Sequence, residues 1–141
     1  MSRIGVLLVS HSENLATGLR DLVNEMNDGS VPVVAAGGTD DGRIGTSAMK
    51  ISDGVESMAD CDNILIYCDL GSSIMSAEAA MDFMDEDLAA KCKLVDCPIV
   101  EGALAGVVTA CGTGDVALTV QASEDARLTN NIFFLNIYLI I

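Results

Sequence analysis

Three short loops hold the residues of this chain that could do chemistry. Ser10-His11-Ser12-Glu13-Asn14 contains its only histidine. Gly37-Gly38-Thr39-Asp40-Asp41-Gly42 is rich in glycine, and Asp69-Leu70-Gly71-Ser72-Ser73 sets a carboxylate beside two hydroxyls. An imidazole is largely neutral near pH 7, so a ring nitrogen can act as a nucleophile. A carboxylate bonded to one ring nitrogen fixes the tautomer and leaves the other lone pair free to attack. It also steadies the positive charge that the ring takes on when it is phosphorylated. His11 is therefore the candidate nucleophile and Asp69 its orienting partner. Ser12, Gly38, Thr39, Ser72 and Ser73 are candidate N–H or hydroxyl donors to phosphoryl oxygens, helped by the helix N-termini that follow such loops.

Plainer readings of the same residues stay open on spacing alone. A histidine at a strand-to-helix junction can cap a helix, an aspartate at a strand end is commonly an N-cap, and a double glycine commonly makes a turn. Other chemistries lack their residues. No Gly-x-Gly-x-x-Gly follows the first strand and no Walker loop occurs, so nucleotide binding has no cradle. No serine sits in a Gly-x-Ser-x-Gly elbow, and the His11 loop lacks the arginine and second histidine of a histidine phosphatase. With one histidine and no Cys-x-x-Cys pair, a zinc site is not expected, and no cofactor is implied.

The elements needed to position these loops are legible as alternating patterns. Residues 4–9 form a continuous apolar run, as in a strand buried on both faces. Leu15, Leu19, Leu22, Val23 and Met26 then make one helical stripe. Residues 31–36 read as a second strand, with Pro32 near its start. Ile44, Ala48, Ile51, Val55 and Met58 make a second stripe. Residues 64–68 are a third strand, and Ile74, Ala77, Met81, Met84 and Leu88 a third helix. Residues 93–95 give a short fourth strand, and residues 99–111 a helix with Gly112 placed to cap it. Residues 116–120 read as a fifth strand. Such alternation means an α/β fold with an open, mainly parallel sheet and helices on both faces. With strand order 2-1-3-4, strand one lies in the middle, and His11 faces Asp69 across the switch point where ligand sites gather.

Composition narrows the function classes. The 141 residues suit a single core, and half are apolar, enough to fill it. A formal net charge of −14 repels nucleic acid and anionic membrane surfaces. Five scattered cysteines are a poor disulfide framework, read best as small buried hydrophobes in a reducing compartment. The N-terminal apolar run is too short for a signal peptide and no run approaches a membrane span, so a cytoplasmic protein is expected. Residues 132–141 hold three of the five aromatics. This apolar tail either pairs with a sheet edge, of this chain or of a second subunit, or is foreign to the domain. A two-fold homodimer covering a bare sheet edge is expected.

Four motifs, in order, carry a resemblance. They are Gly5-Val6-Leu7-Leu8-Val9-Ser10-His11-Ser12, then residues 37–42 with Gly45-Thr46-Ser47, then Tyr67-Cys68-Asp69-Leu70-Gly71-Ser72, and Pro98-Ile99-Val100-Glu101-Gly102-Ala103. Together they resemble the phosphotransferase subunits of bacterial dihydroxyacetone kinases, a branch of the mannose-type enzyme IIA family, over residues 1–120. Residues 121–141 have no counterpart in that resemblance. It implies a parallel sheet closed by an antiparallel fifth strand, in a dimer. It also implies that His11 is phosphorylated by the phosphocarrier histidine protein and passes the group to ADP on the nucleotide-binding kinase subunit, with Asp69 orienting the ring. The Asp-Leu-Gly-Ser loop points to the kinase branch. The alternative is the enzyme IIA component of a mannose-type sugar transport system, where Gly-Gly-Ser-Pro is expected at that loop.

Overall fold

The computed structural model describes residues 2–128; the tail discussed above lies outside them. Four parallel strands, β1 (Ile4–Ser10), β2 (Val33–Gly37), β3 (Asn63–Cys68) and β4 (Cys92–Val95), form one sheet in the order β2-β1-β3-β4. Crossover helices link them: α1 (Glu13–Asn24), α2 (Ala48–Glu56), and α3 (Gly71–Phe83) with the short α4 (Glu86–Ala89). After β4 come α5 (Ile99–Thr113) and α6 (Val116–Asp125).

All seven residues of β1 are buried because both faces of the sheet are covered. Ile4, Val6 and Leu8 point to one face, where Leu65 and Tyr67 of β3 meet Leu19 and Val23 of α1, Ala103 and Val107 of α5 and Val120 of α6. Leu7 and Val9 point to the other, with Ile64 and Ile66, against Ile51 and Val55 of α2 and Ala77 and Ala80 of α3. A pleated strand alternates faces every residue, so the unbroken apolar run from Ile4 to Val9 is what two buried faces require.

The expected order and helices on both faces are found, but there is no fifth strand among the described residues. Residues 116–120 begin α6 instead. Asp115 caps that helix, its side chain accepting the Leu118 N–H, and Thr119, Val120 and Ser123 face inward at helical spacing. Gly114, not Gly112, ends α5: it takes the left-handed conformation at φ +60°, and the chain folds back into a helical hairpin. A buried polar chain secures it. Tyr67 and Ser123 share a hydrogen bond of 2.7 Å, and the Ser123 hydroxyl reaches the Gly102 carbonyl at 2.8 Å. Gly106 leaves room for that pair; a Cβ there would lie 2.3 Å from the tyrosine oxygen. The α6 helix runs on past residue 120. The third helical stripe also divides, with Leu88 in α4 after a break at Met84 and Asp85.

Candidate functional site

The carboxyl ends of β1 and β3 lie side by side, with Val9 paired to Cys68. The next residue of each loop therefore starts from adjacent positions, and His11 and Asp69 meet although 58 residues separate them. Nδ1 of His11 is 2.9 Å from Oδ1 of Asp69, and the backbone N–H of His11 donates to Oδ2 at 3.0 Å. The Leu70 N–H donates to Oδ1 at 2.7 Å, and the Ser10 hydroxyl to Oδ2 at 2.8 Å. The pair is shielded but reachable, with side-chain exposures of 20% for His11 and 11% for Asp69.

Burial alone raises the carboxyl pKa of Asp69. The His11 backbone and ring, Ser10 and the Leu70 backbone outweigh it and bring the value down to about 2. Asp69 is thus ionised and can only accept, so Nδ1 of His11 carries the proton in this geometry. In a neutral ring that leaves the lone pair on Nε2. Nε2 meets the hydroxyl of Ser72, the second residue of α3. No side chain caps α3, so its N-terminus, with the positive end of its dipole, lies next to Nε2.

The plainer readings can now be judged. His11 is not the cap of α1: Ser12 is, its hydroxyl accepting the Leu15 N–H at 3.2 Å. Nor does Asp69 cap α3, whose N-cap is Leu70. The double glycine is a packing device. A Cβ on Gly37 would lie 2.5 Å from the Ser12 carbonyl oxygen and 2.8 Å from Ala16 Cβ, and Gly38 sits at φ +74°. The Gly38 N–H donates to the Ser10 carbonyl at 3.1 Å and the Gly45 N–H to the His11 carbonyl at 2.9 Å. The loop after β2 therefore clamps the backbone on either side of the histidine's amide.

Of the expected phosphoryl ligands, Ser72 is brought to His11, and Ser12 adjoins it in the chain. The others are engaged elsewhere. The Thr39 N–H donates to the Arg43 carbonyl at 2.9 Å, its hydroxyl donates to Asp41, and its oxygen accepts the Arg43 N–H. Ser73 is buried, and both its amide and its hydroxyl donate to the Leu70 carbonyl. Ser10, which the sequence reading passed over, is fully buried and bonded to Asp69. Its only signal was a hydroxyl ending an apolar strand immediately before the histidine. All five cysteines are free, and burial pushes Cys68 up to about 11 and Cys97 up to about 12, so neither is a thiolate near neutral pH.

Fold and site together define an open, doubly wound α/β protein with a carboxylate-oriented imidazole at its switch point. A family model described as "PTS system fructose IIA component" matches residues 5–120, and the chain belongs to that family. It is 41% identical over 105 residues to the phosphoryl donor subunit DhaM of PEP-dependent dihydroxyacetone kinase 2 from Listeria innocua, covering 74% of this chain and 84% of that one. It is 42% identical over 124 residues to the phosphoryl donor subunit DhaM of PEP-dependent dihydroxyacetone kinase from Providencia stuartii, covering 86% of this chain but 26% of that longer protein. The crystal structure of the unknown-function protein EF1359 matches at a TM-score of 0.81 and 33% identity, over 87% of this chain and 94% of that one.

Proposed function

We propose that this chain is a phosphocarrier subunit of a dihydroxyacetone kinase, carrying its phosphoryl group on Nε2 of His11. The observation that carries the reading is the division of labour on one ring: Nδ1 held by an ionised Asp69, Nε2 holding its lone pair toward Ser72 and the start of α3. The names of the Listeria and Providencia relatives support the kinase as destination; they lend no support to the sugar-transport alternative.

The transfer balances as a simple exchange. The Nε2 lone pair attacks the phosphorus of a phosphohistidine on the donor, the phosphocarrier histidine protein. The donor's P–N bond breaks and its ring takes back the electron pair. His11 then holds the group as a positively charged phosphoimidazolium, stabilised by Asp69 across Nδ1. Ser72 swings from Nε2 to a phosphoryl oxygen, with Ser12 and the α3 N-terminus as further donors. Gly38, Thr39 and Ser73 hold the loops that do this. In the second half, a terminal phosphate oxygen of ADP bound on the kinase subunit attacks phosphorus, and His11 leaves as the neutral ring.

Both partners must bring their reacting groups to the same edge. Ile44, beside the Gly45 that holds the His11 backbone, and Leu70, beside Asp69, are 77% and 62% exposed. They flank the histidine as apolar contacts for a docking protein. No helix among the described residues is long and apolar enough to cross a membrane, and the reading places the chain in the cytoplasm, as a homodimer.

The test is incubation with phosphoenolpyruvate and the general carrier proteins, followed by mapping of the phosphate. A phosphoramidate on His11, acid-labile and alkali-stable, is expected. It should be discharged when the ADP-loaded kinase subunit is added. Phosphate on Ser, Thr or Asp overturns the assignment, and phosphate that stays on His11 overturns the destination.

A further inference from the structure

Ser10 is the last residue of β1 and fully buried, a hydroxyl where the strand otherwise offers none. The Ser12 N–H donates to its oxygen at 3.0 Å, so its single proton is free to go to Oδ2 of Asp69 at 2.8 Å. The His11 N–H lies on that same Oδ2. Two donors from the β1 side thus hold one carboxylate oxygen and turn the other, Oδ1, toward Nδ1 of His11. Because Ser12 caps α1, this one hydroxyl joins the end of β1, the start of α1 and a carboxylate delivered by β3.

We propose that Ser10 is a positioning residue for phosphoryl transfer, setting the rotation of the Asp69 carboxylate and through it the tautomer of His11. Without Ser10, only the backbone N–H groups of His11 and Leu70 hold the Asp69 carboxylate, one on each oxygen; it can rotate further about its side-chain bonds, and its grip on Nδ1–H weakens. The ring then shares its proton between the two nitrogens, and each molecule protonated on Nε2 cannot attack. A serine present only to satisfy buried polar groups would change stability and leave the ring unaltered.

The inference rests on the phosphocarrier reading for its kinetic consequence and is independent of it for the tautomer. The variant is Ser10→Ala, assayed with the phosphorylated phosphocarrier histidine protein as donor, regenerated from phosphoenolpyruvate. The maximal transfer rate should fall about 10-fold, the effect of one hydrogen bond to a charged group. The half-saturating donor concentration should stay unchanged, since Ser10 is buried away from any docking protein. In ¹⁵N-resolved NMR spectra His11 is the only histidine, and its Nδ1–H population should drop. A folded Ser10→Ala protein with wild-type rate and wild-type ring signals overturns the proposal. Should Ser10→Ala fail to fold, Ser10→Cys keeps the shape and exchanges a strong O–H donor for a weak S–H one. The same rate and tautomer readouts then decide. A wild-type protein that takes no phosphate on His11 refutes the phosphocarrier reading, and the NMR comparison still decides the role of Ser10.

Discussion

The loops after β1 and β3 differ from the loop after β2 in what they do with similar residues. All three are polar and rich in glycine or serine, and all leave the same edge of the sheet. In the first two, side chains reach across: the Ser10, His11 and Ser72 side chains and the Asp69 carboxylate bond to one another over 58 to 61 residues of sequence. In the third, the donors turn back on the backbone. Gly38 and Gly45 hold the Ser10 and His11 carbonyls, while Thr39 bonds within its own loop. One pair of loops builds the imidazole–carboxylate pair and the other keeps its main chain still. Glycine serves the second task because the chain must pass close to the start of α1, as at Gly37, where no Cβ fits.

Removing the imidazole should have the largest effect. His11→Ala is expected to abolish phosphoryl acceptance and leave the circular dichroism spectrum and Tm near wild type, since the side chain is not part of either core. Residual label on the variant would place the acceptor in another loop. Asp69→Asn comes next. An amide can still accept a hydrogen bond, but it carries no charge to steady the phosphorylated ring and can favour the wrong tautomer. A loss of about 10- to 1,000-fold in transfer rate is expected, read by quenched-flow with labelled donor, with the fold retained. Asp69 has a second signature. Its carboxyl is lowered to about 2 from an ordinary 3.8, so it stabilises the fold above that ordinary value and the contribution disappears as pH falls through about 2. Between those values wild type should lose more stability than Asp69→Asn, and equal acid-denaturation curves would mean the carboxylate is not held as described.

How much of this was legible follows from what each feature depends on. The strands and the helices α1 and α2 were readable because burial on both faces of the sheet, or along one stripe, writes itself into local composition. Their packing also put His11 and Asp69 at the switch point. Residues 116–120 were misread because Val-Ala-Leu-Thr-Val is short and β-branched. What makes it helical is the Asp115 cap and the docking of Ser123 on Tyr67, a contact 56 residues away. The direction of each donor was not readable at all. Ser72 and Thr39 look equivalent in sequence, and only the fold shows one meeting the ring and the other its own loop.

The clamp side of the comparison is broken by Gly37→Ala. The new methyl would meet the Ser12 carbonyl and the Glu13 Cα, backbone atoms that must move for it to fit. A loss of about 1–3 kcal/mol, the usual cost of overpacking, is expected in urea unfolding, with a modest fall in transfer rate as the start of α1 shifts. An unchanged midpoint with a strongly reduced rate would mean that this glycine makes room for the transferred group rather than for α1.

The smallest effect should come from Thr39→Val, and it separates the two loop roles most cleanly. Valine keeps the methyl beside Gly45 and removes only the hydroxyl. The lost bonds, to the Asp41 carboxylate and from the Arg43 N–H, lie in an exposed loop where water can replace them. The Gly38 and Gly45 amides that hold the histidine backbone are untouched. Transfer should therefore remain within about 3-fold of wild type, since water takes over these exposed bonds and they act on the loop rather than the ring. If Thr39 instead turns to the phosphoryl group in the transition state, the loss would rise to 10-fold or more at saturating donor, because the donor would be missing where charge is greatest. Measured beside Ser72→Ala, for which that larger loss is expected, the pair tests whether only the β1 and β3 loops face the reacting atom. A large loss in both variants would make the β2 loop a third wall of the site.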